Sequence, residues 1–201
     1  MSIYEDKVAP IKPVEDNQPN AKDIFNEITY QFDITDSVVY LVGEIDGFTL
    51  LDMMTRIRTI LKNRADEDAQ PINMIINSEG GCVYEMLAIV DYMNSLPVPV
   101  NTICRGKAFS AAALILASGT GTRYASKHSS IMFHQSSAWL QGKQSDIKAS
   151  IHHVSEIDKT SNVLLSDKTT LSAEEWEQAQ RTDYWLSSQQ ALDIKVIDQI
   201  I

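Results

Sequence analysis

The sequence predicts an α/β fold in which repeated strand and helix units form a mostly parallel sheet. Three apolar runs, each followed by a small or glycine-containing turn and then by a segment with helical spacing, recur along the chain. Strands that alternate with helices favour parallel pairing through right-handed crossovers. Because 201 residues are enough for one well-buried core, we expect a single domain.

The composition is that of a globular protein and narrows the classes of partner. Apolar residues make up 44% of the chain and charged residues 22%. The net charge of -10 disfavours nucleic acid, because binding to phosphates requires clustered Lys and Arg. The longest apolar run, Ala108 to Ala117, is too short to span a bilayer. We expect a cytoplasmic protein that binds neither nucleic acid nor a membrane.

Residues 1–22 are predicted to be a flexible arm and residues 23–201 the single domain. The arm has three prolines and little apolar periodicity, so it cannot bury enough surface to become ordered alone. The two cysteines, Cys82 and Cys104, each lie in an apolar segment, and we expect both to be reduced and buried. We expect neither a metal nor a cofactor.

The first half of the domain contains the strand and helix units. The predicted elements, in order, are a strand at Ser37–Glu44, a helix at Gly47–Lys62, a strand at Pro71–Asn77, a glycine turn at Ser78–Gly81, a helix from Val83, a strand at Pro97–Cys104, a turn at Arg105–Lys107 and a helix at Ser110–Ser118. Each strand is a continuous apolar run, which suits burial on both faces of the sheet.

The second half adds short strands and several helices. Thr122–Ala125 and Ser130–Phe133 are predicted strands, and a helix with Ser145 as its N-cap is too long for a small sheet. The apolar residues predicted to share one face of that helix are Ile147, Ile151, Val154, Ile157 and Leu164 or Leu165. Two shorter helices follow, opened by the capping-box pairs Ser172 with Glu175 and Ser187 with Gln190, and the C-terminal IKVIDQII is a predicted strand.

Three side chains are candidates for chemistry, namely Ser110 at a helix start, His134 at a strand end and Asp183 in a connection. A serine needs a base that takes its proton and a third group that orients the base. The alternative for Ser110 is an ordinary N-cap serine. His134 and Asp183 have ordinary structural alternatives too, and we assign His128, His152 and His153 to the surface.

The glycine pair Gly80 and Gly81 directly follows a buried strand. Glycines at such a position allow close approach of the backbone, and their N–H groups can stabilise an oxyanion or bind an extended peptide. The alternative is a turn that begins the next helix.

Several separated motifs resemble one family, the proteolytic subunit of Clp protease (ClpP). They are INSEGG at 76–81, TICRGKAFSAAALILASG at 102–119, SIMFHQ at 130–135 and DYWLSSQQALDIKVID at 183–198. The resemblance implies a ClpP/crotonase-like parallel-sheet head with a protruding helical handle at about 145–167. It also implies a serine endopeptidase that cleaves unfolded proteins inside two stacked heptameric rings, fed by an ATP-driven unfoldase, with a second ClpP subunit as another possible partner.

Carried over by position, the resemblance implies a role for each candidate residue. Ser110 would be the nucleophile, His134 the general base and Asp183 its orienting carboxylate. The backbone N–H groups of Gly81 and Ala111 would hold the oxyanion. The residues implied to bind substrate are Cys82, Val83, Gln135, Ser136 and Ser137.

Two positions depart from the family pattern. Glu79 stands where proline is usual, which led us to expect discrimination against acidic peptides, and Thr182 stands where an arginine usually helps to join the rings. Three other functions stay open at this point. They are a non-catalytic or regulatory subunit, a dedicated processing protease that acts without an unfoldase, and a thioester-binding enzyme of the related crotonase fold.

Overall fold

The computed structural model describes residues 33, 35–64 and 70–201. The arm predicted over residues 1–22 and the start of the predicted domain lie outside these residues. The elements whose bounds the structure gives are β1 (Val38–Ile45), α1 (Gly47–Asn63), β2 (Ile72–Gly81), α2 (Val83–Ser95), β3 (Val100–Phe109), α3 (Ala111–Ala117), β4 (Arg123–Ala125), β5 (Ser130–Phe133), α4 (Gln144–Lys168), α5 (Ala173–Ala179), β6 (Tyr184–Ser187), α6 (Ser188–Asp193) and β7 (Gln199–Ile200).

The strands form one sheet that confirms the predicted fold class. Its main path runs β1-β2-β3-β4-β7, and every neighbouring pair on that path is parallel. Past the stretch that pairs with β4, the C-terminal part of β3 pairs in parallel with β5. Strand β5 in turn pairs antiparallel with β6. The chain therefore places the C-terminal ends of β2, β3 and β5 at a common edge.

The helix α3 is the centre of the core. All seven of its residues are buried, and it packs against β2, β3 and α2. A helix that is apolar on every side is stable only when it is enclosed by protein. The alanines at its N-terminal end let the neighbouring backbone approach closely, which fixes the position of the residue before it.

Two of the strands run further than the sequence suggests. The turn predicted at Ser78–Gly81 is the end of β2, and the turn predicted at Arg105–Lys107 lies within β3. The register shifts between Val42 and Glu44 and between Ile76 and Ser78. At these irregularities the strands continue through the glycine-containing segments. The glycines therefore do not end the strands as the sequence suggested.

The C-terminal third also departs from the predicted elements. The residues after Asp183 form the unpredicted strand β6, and the predicted C-terminal strand shrinks to the two residues of β7. Val196 and Ile197 are fully buried, and their N–H groups donate to Ala191 O. Their apolar character therefore reflects core packing around the end of α6 instead of strand pairing.

The long helix α4 has two unlike halves. Its buried residues, Ile157, Ser161, Asn162 and Leu165, all lie in the C-terminal half. The residues predicted to share an apolar face do lie on this one helix, but in its first half that face is not buried, and Ile151 is 52% exposed. The predicted cap is also wrong, because Lys143 is the N-cap residue and Ser145 lies inside the helix. The first half thus contains no buried residue, although His153 stacks on Tyr84 of α2 with ring centroids 6.0 Å apart.

The two cysteines differ in their surroundings. Cys104 is buried, and desolvation raises the pKa of its thiol to about 11. Cys82 is exposed, which corrects the expectation that both are buried. It is the N-cap residue of α2 and lies directly after the end of β2. In the part of the chain that the structure describes, no helix is long and apolar enough to cross a membrane.

Candidate active site

Ser110 occupies a sharp turn between β3 and α3. Its backbone lies at φ 54° and ψ -125°, a conformation that costs free energy for a residue with a side chain. Its N–H donates to Met132 O at 2.8 Å, which ties the turn to β5. Its hydroxyl caps none of the helix amides. The ordinary N-cap interpretation therefore does not describe this serine, whose turn has the geometry of a nucleophile elbow.

Gly80 makes that turn possible. A Cβ atom on Gly80 would lie 2.6 Å from Phe109 O and 2.8 Å from Ser110 Cβ. Gly81 is equally confined, because its Cβ would lie 2.2 Å from Ile45 O. Both glycines are thus needed for close approach at the end of β2, and the alternative of a turn that begins α2 is wrong.

The strand register puts the segments that carry His134 and Asp183 at the same end of one strand pair. In the antiparallel pair of β5 and β6, Phe133 lies opposite Tyr184. His134 directly follows β5 and Asp183 directly precedes β6, so both lie at the same end of this strand pair. His134 is half-buried and Asp183 is exposed. In the parallel pairing of β3 with β5, Phe109 lies beside Met132. Ser110, directly after Phe109, therefore lies beside the end of β5, which His134 follows.

Aromatic contacts fix these strand ends. Phe109, next to Ser110, packs edge to face against Trp185 with ring centroids 5.1 Å apart. Phe133, next to His134, contacts the fully buried Trp176 with centroids 4.8 Å apart. Such pairs add to the free energy of burial. The residues beside the candidate triad are therefore held by packing on both sides.

A cleft of about 70 Å³ opens beside Ser110 and His134. Gly81 and Ala111, the predicted oxyanion residues, border it together with three of the predicted substrate residues, Val83, Ser136 and Ser137. Cys82, Gln135 and Asp183 do not line it. Gln135 instead lines a neighbouring cavity beside α4 and α5.

Five lining residues were not anticipated from the sequence. They are Met86, Leu114, Asp158, Ser161 and Gln180. Met86 lies three residues after Val83, and Leu114 lies four residues after Ser110. Both could have been predicted from the sequence, because residues three or four apart share a helix face. Asp158 and Ser161 offered no such signal, since their position depends on how α4 packs.

Glu79, at the end of β2, forms an ion pair with Lys107 of β3. The hydrogen bond from the ammonium group is the main cause that lowers the pKa of the Glu79 carboxyl. Because the negative charge is paired, Glu79 provides little basis for the expected discrimination against acidic peptides. It instead bridges the two strands whose ends meet at Ser110.

Comparison with known proteins points to one family. Residues 18–201 match the family model described as Clp protease. A protein named ATP-dependent Clp protease proteolytic subunit from Porphyromonas gingivalis is 30% identical over 191 residues, which cover 94% of this chain and 82% of that protein. A protein of the same name from Bacteroides fragilis is 30% identical over 192 residues, covering 94% of this chain and 88% of that protein.

Proposed function

We propose, from the premise that this chain belongs to the Clp protease family, that it hydrolyses peptide bonds of unfolded proteins with Ser110 as the nucleophile. Members of this family are serine endopeptidases. The observation that carries the proposal is the backbone of Ser110, which is held in a strained turn with an uncapped hydroxyl at the edge of the cleft that His134 lines.

In the proposed reaction, Ser110 Oγ attacks the carbonyl carbon of the scissile bond while His134 accepts the hydroxyl proton. The N–H groups of Gly81 and Ala111 stabilise the oxyanion that forms. His134 then gives its proton to the leaving amine, which departs and leaves an acyl group on Ser110. Water activated by His134 hydrolyses that ester. Asp183 orients the imidazole and stabilises its protonated form.

The proposed substrate path follows the two segments that border Ser110. An extended peptide would lie between the residues after Gly81, namely Cys82 and Val83, and the residues after His134, namely Gln135, Ser136 and Ser137. The N–H groups of Cys82, Gln135 and Ser136 already donate to Ile45 O, Gln180 O and Asp158 Oδ1. Pairing with such a peptide would therefore use the other backbone groups of the two segments. Val83, Ser136 and Ser137 support this path by lining the cleft.

The proposal is tested by labelling the purified chain with a fluorophosphonate probe and measuring intact mass. We expect one adduct per chain, lost in Ser110→Ala and retained in Ser145→Ala, since Ser145 is exposed on α4. Loss of the nucleophile should also reduce peptide hydrolysis by about a thousandfold or more. Labelling that persists in Ser110→Ala would contradict the assignment. Peptide hydrolysis by the chain also separates a peptidase from a non-catalytic subunit.

We further propose that the chain assembles into stacked heptameric rings that receive substrate from an ATP-driven unfoldase or pair with a second ClpP subunit. Trp139 is 85% exposed and Leu140 is 36% exposed, next to the half of α4 that contains no fully buried residue. Exposed apolar residues of this size are typical of an interface. Native mass spectrometry should show a fourteen-chain assembly, and Trp139→Ser should shift it toward single rings. An unchanged assembly in that variant would contradict a role for Trp139 at the interface.

A further inference from the structure

The cleft beside Ser110 combines apolar walls with one fixed negative charge. Val83, Met86 and Leu114 supply apolar side chains. The other wall is polar, and apart from His134 its one titratable side chain is Asp158 of α4. An apolar channel with a carboxylate suits a side chain that has an aliphatic stem and a cationic end.

Asp158 is held in place and keeps an acceptor available. Its Oδ1 accepts a hydrogen bond from Ser136 N–H at 3.1 Å. No Lys, Arg or His side chain of the described residues lies at ion-pair distance from it. The next residue, Lys159, is a cation, but its ammonium group lies 2.7 Å from Glu156 Oε1. Asp158, which also lines the neighbouring cavity with Lys159, therefore has no ion-pair partner among the described residues and can accept one from a ligand.

The position of the cleft determines which part of a substrate enters it. The scissile carbonyl has to sit between Ser110 and the amides of Gly81 and Ala111, all of which border the cleft. The side chain that precedes the scissile bond branches from the carbon attached to that carbonyl. In serine proteases, the chemistry of the pocket that takes this side chain determines specificity.

We infer that Asp158 is a specificity-determining residue and that the chain favours substrates with lysine immediately before the scissile bond, an inference that rests on the proposed function. The aliphatic stem of the lysine contacts Val83, Met86 and Leu114, and its ammonium group reaches the carboxylate of Asp158. Glutamate at that position is disfavoured, because it would bring two carboxylates together.

The first experiment measures binding without turnover. Two fluorescent peptides that end in lysine or in norleucine, which has the same stem without the ammonium group, are titrated into the full chain carrying Ser110→Ala. We expect the lysine peptide to bind about tenfold more tightly, as a partly solvated ion pair allows. Adding Asp158→Asn should remove the difference, because asparagine keeps the acceptor for Ser136 N–H and loses the charge. Asp167→Asn, an exposed change on the same helix, should leave it unchanged.

Equal affinities, a lysine preference that survives Asp158→Asn, or binding of neither peptide would each overturn the inference. Hydrolysis by the unaltered chain of amide substrates with lysine or norleucine before the scissile bond separates failure of this inference from failure of the proposed function. Turnover without a lysine preference would overturn the role of Asp158 and leave the peptidase. A lysine preference in binding, with neither turnover nor fluorophosphonate labelling, would overturn the peptidase and leave the role of Asp158.

Discussion

Single residues at the end of β2 decide whether Ser110 can adopt its turn. Ser110 carries a side chain at positive φ, and Gly80 at φ +98° lies directly against it. The residue types in this region were readable from the sequence, because a serine, a histidine and paired glycines are conspicuous. The contact between Gly80 and the Ser110 turn was not readable, since it depends on a register shift in the pairing of β2 with β3.

We predict that Gly80→Ala destabilises the fold and removes probe labelling of Ser110. The new Cβ would meet Phe109 O and Ser110 Cβ at 2.6 and 2.8 Å, a steric conflict that adds about 1–3 kcal/mol to the cost of the positive φ. Gly43→Ala is the matched control. Gly43 also has positive φ, but its Cβ would meet nothing within 4 Å.

Urea unfolding of the two variants measures the difference. Gly43→Ala should lower the free energy of unfolding by about 1–2 kcal/mol, the cost of its backbone conformation alone, and should keep its labelling. Equal losses of stability in the two variants would show that the contact between Gly80 and the Ser110 turn is unimportant.

At the scale of elements, the two capping-box patterns were reliable, whereas the single N-cap residue predicted at Ser145 was not. Both predicted capping boxes are present, with Ser172 and Glu175 at α5 and Ser187 and Gln190 at α6. Such a motif is formed by residues three apart, so it depends little on partners distant in the chain. The strand ends and β6 were missed because they depend on partners distant in the chain. Asp158 was missed for the same reason.

We predict that Ser172→Ala lowers the free energy of unfolding by about 1 kcal/mol. Ser172 Oγ accepts from Glu175 N–H at 3.2 Å, and losing an N-cap acceptor typically costs that amount. Because α5 carries the buried Trp176 against Phe133, we expect thermal unfolding to begin at a lower temperature. Ser155→Ala is the control within a helix and should change stability by less than about 0.5 kcal/mol. A loss as large as in Ser172→Ala would argue against the cap.

At the scale of the whole molecule, Arg123 joins segments that are far apart in the chain. Its guanidinium donates to Asp198 Oδ1 at 2.6 Å, to Lys168 O at 2.9 Å and to Ala117 O at 3.2 Å. It therefore connects β4 with the ends of α3 and α4 and with the C-terminal segment. Loss of this side chain would leave two carbonyl groups at helix ends without this donor.

We predict that Asp198 contributes to stability in a pH-dependent manner. The hydrogen bond from Arg123 is the main cause that lowers the pKa of the Asp198 carboxyl below its ordinary value of 3.8. A lowered folded pKa gives stability that is fully present above the unfolded pKa and lost as the pH falls through the folded pKa. Asp198→Asn should therefore cost about 1–2 kcal/mol at neutral pH.

Chemical unfolding at a series of pH values measures this effect. The difference between the unaltered chain and Asp198→Asn should be constant above about pH 5 and shrink below about pH 4. Asp91→Asn, an exposed change on α2, should show no such dependence. A difference that stays constant down to pH 3 would contradict the ion pair as its source.

The order of the strands whose ends carry Ser110, His134 and Asp183 also determines when hydrolytic activity can first arise during synthesis. The pairings around the candidate site link β3 to β5 and β5 to β6, and Asp183 lies 73 residues after Ser110 in the chain. A growing chain that already displays Ser110 lacks the strand that positions its base. Growing chains that have not yet reached Asp183 and β6 should therefore lack hydrolytic activity toward neighbouring polypeptides.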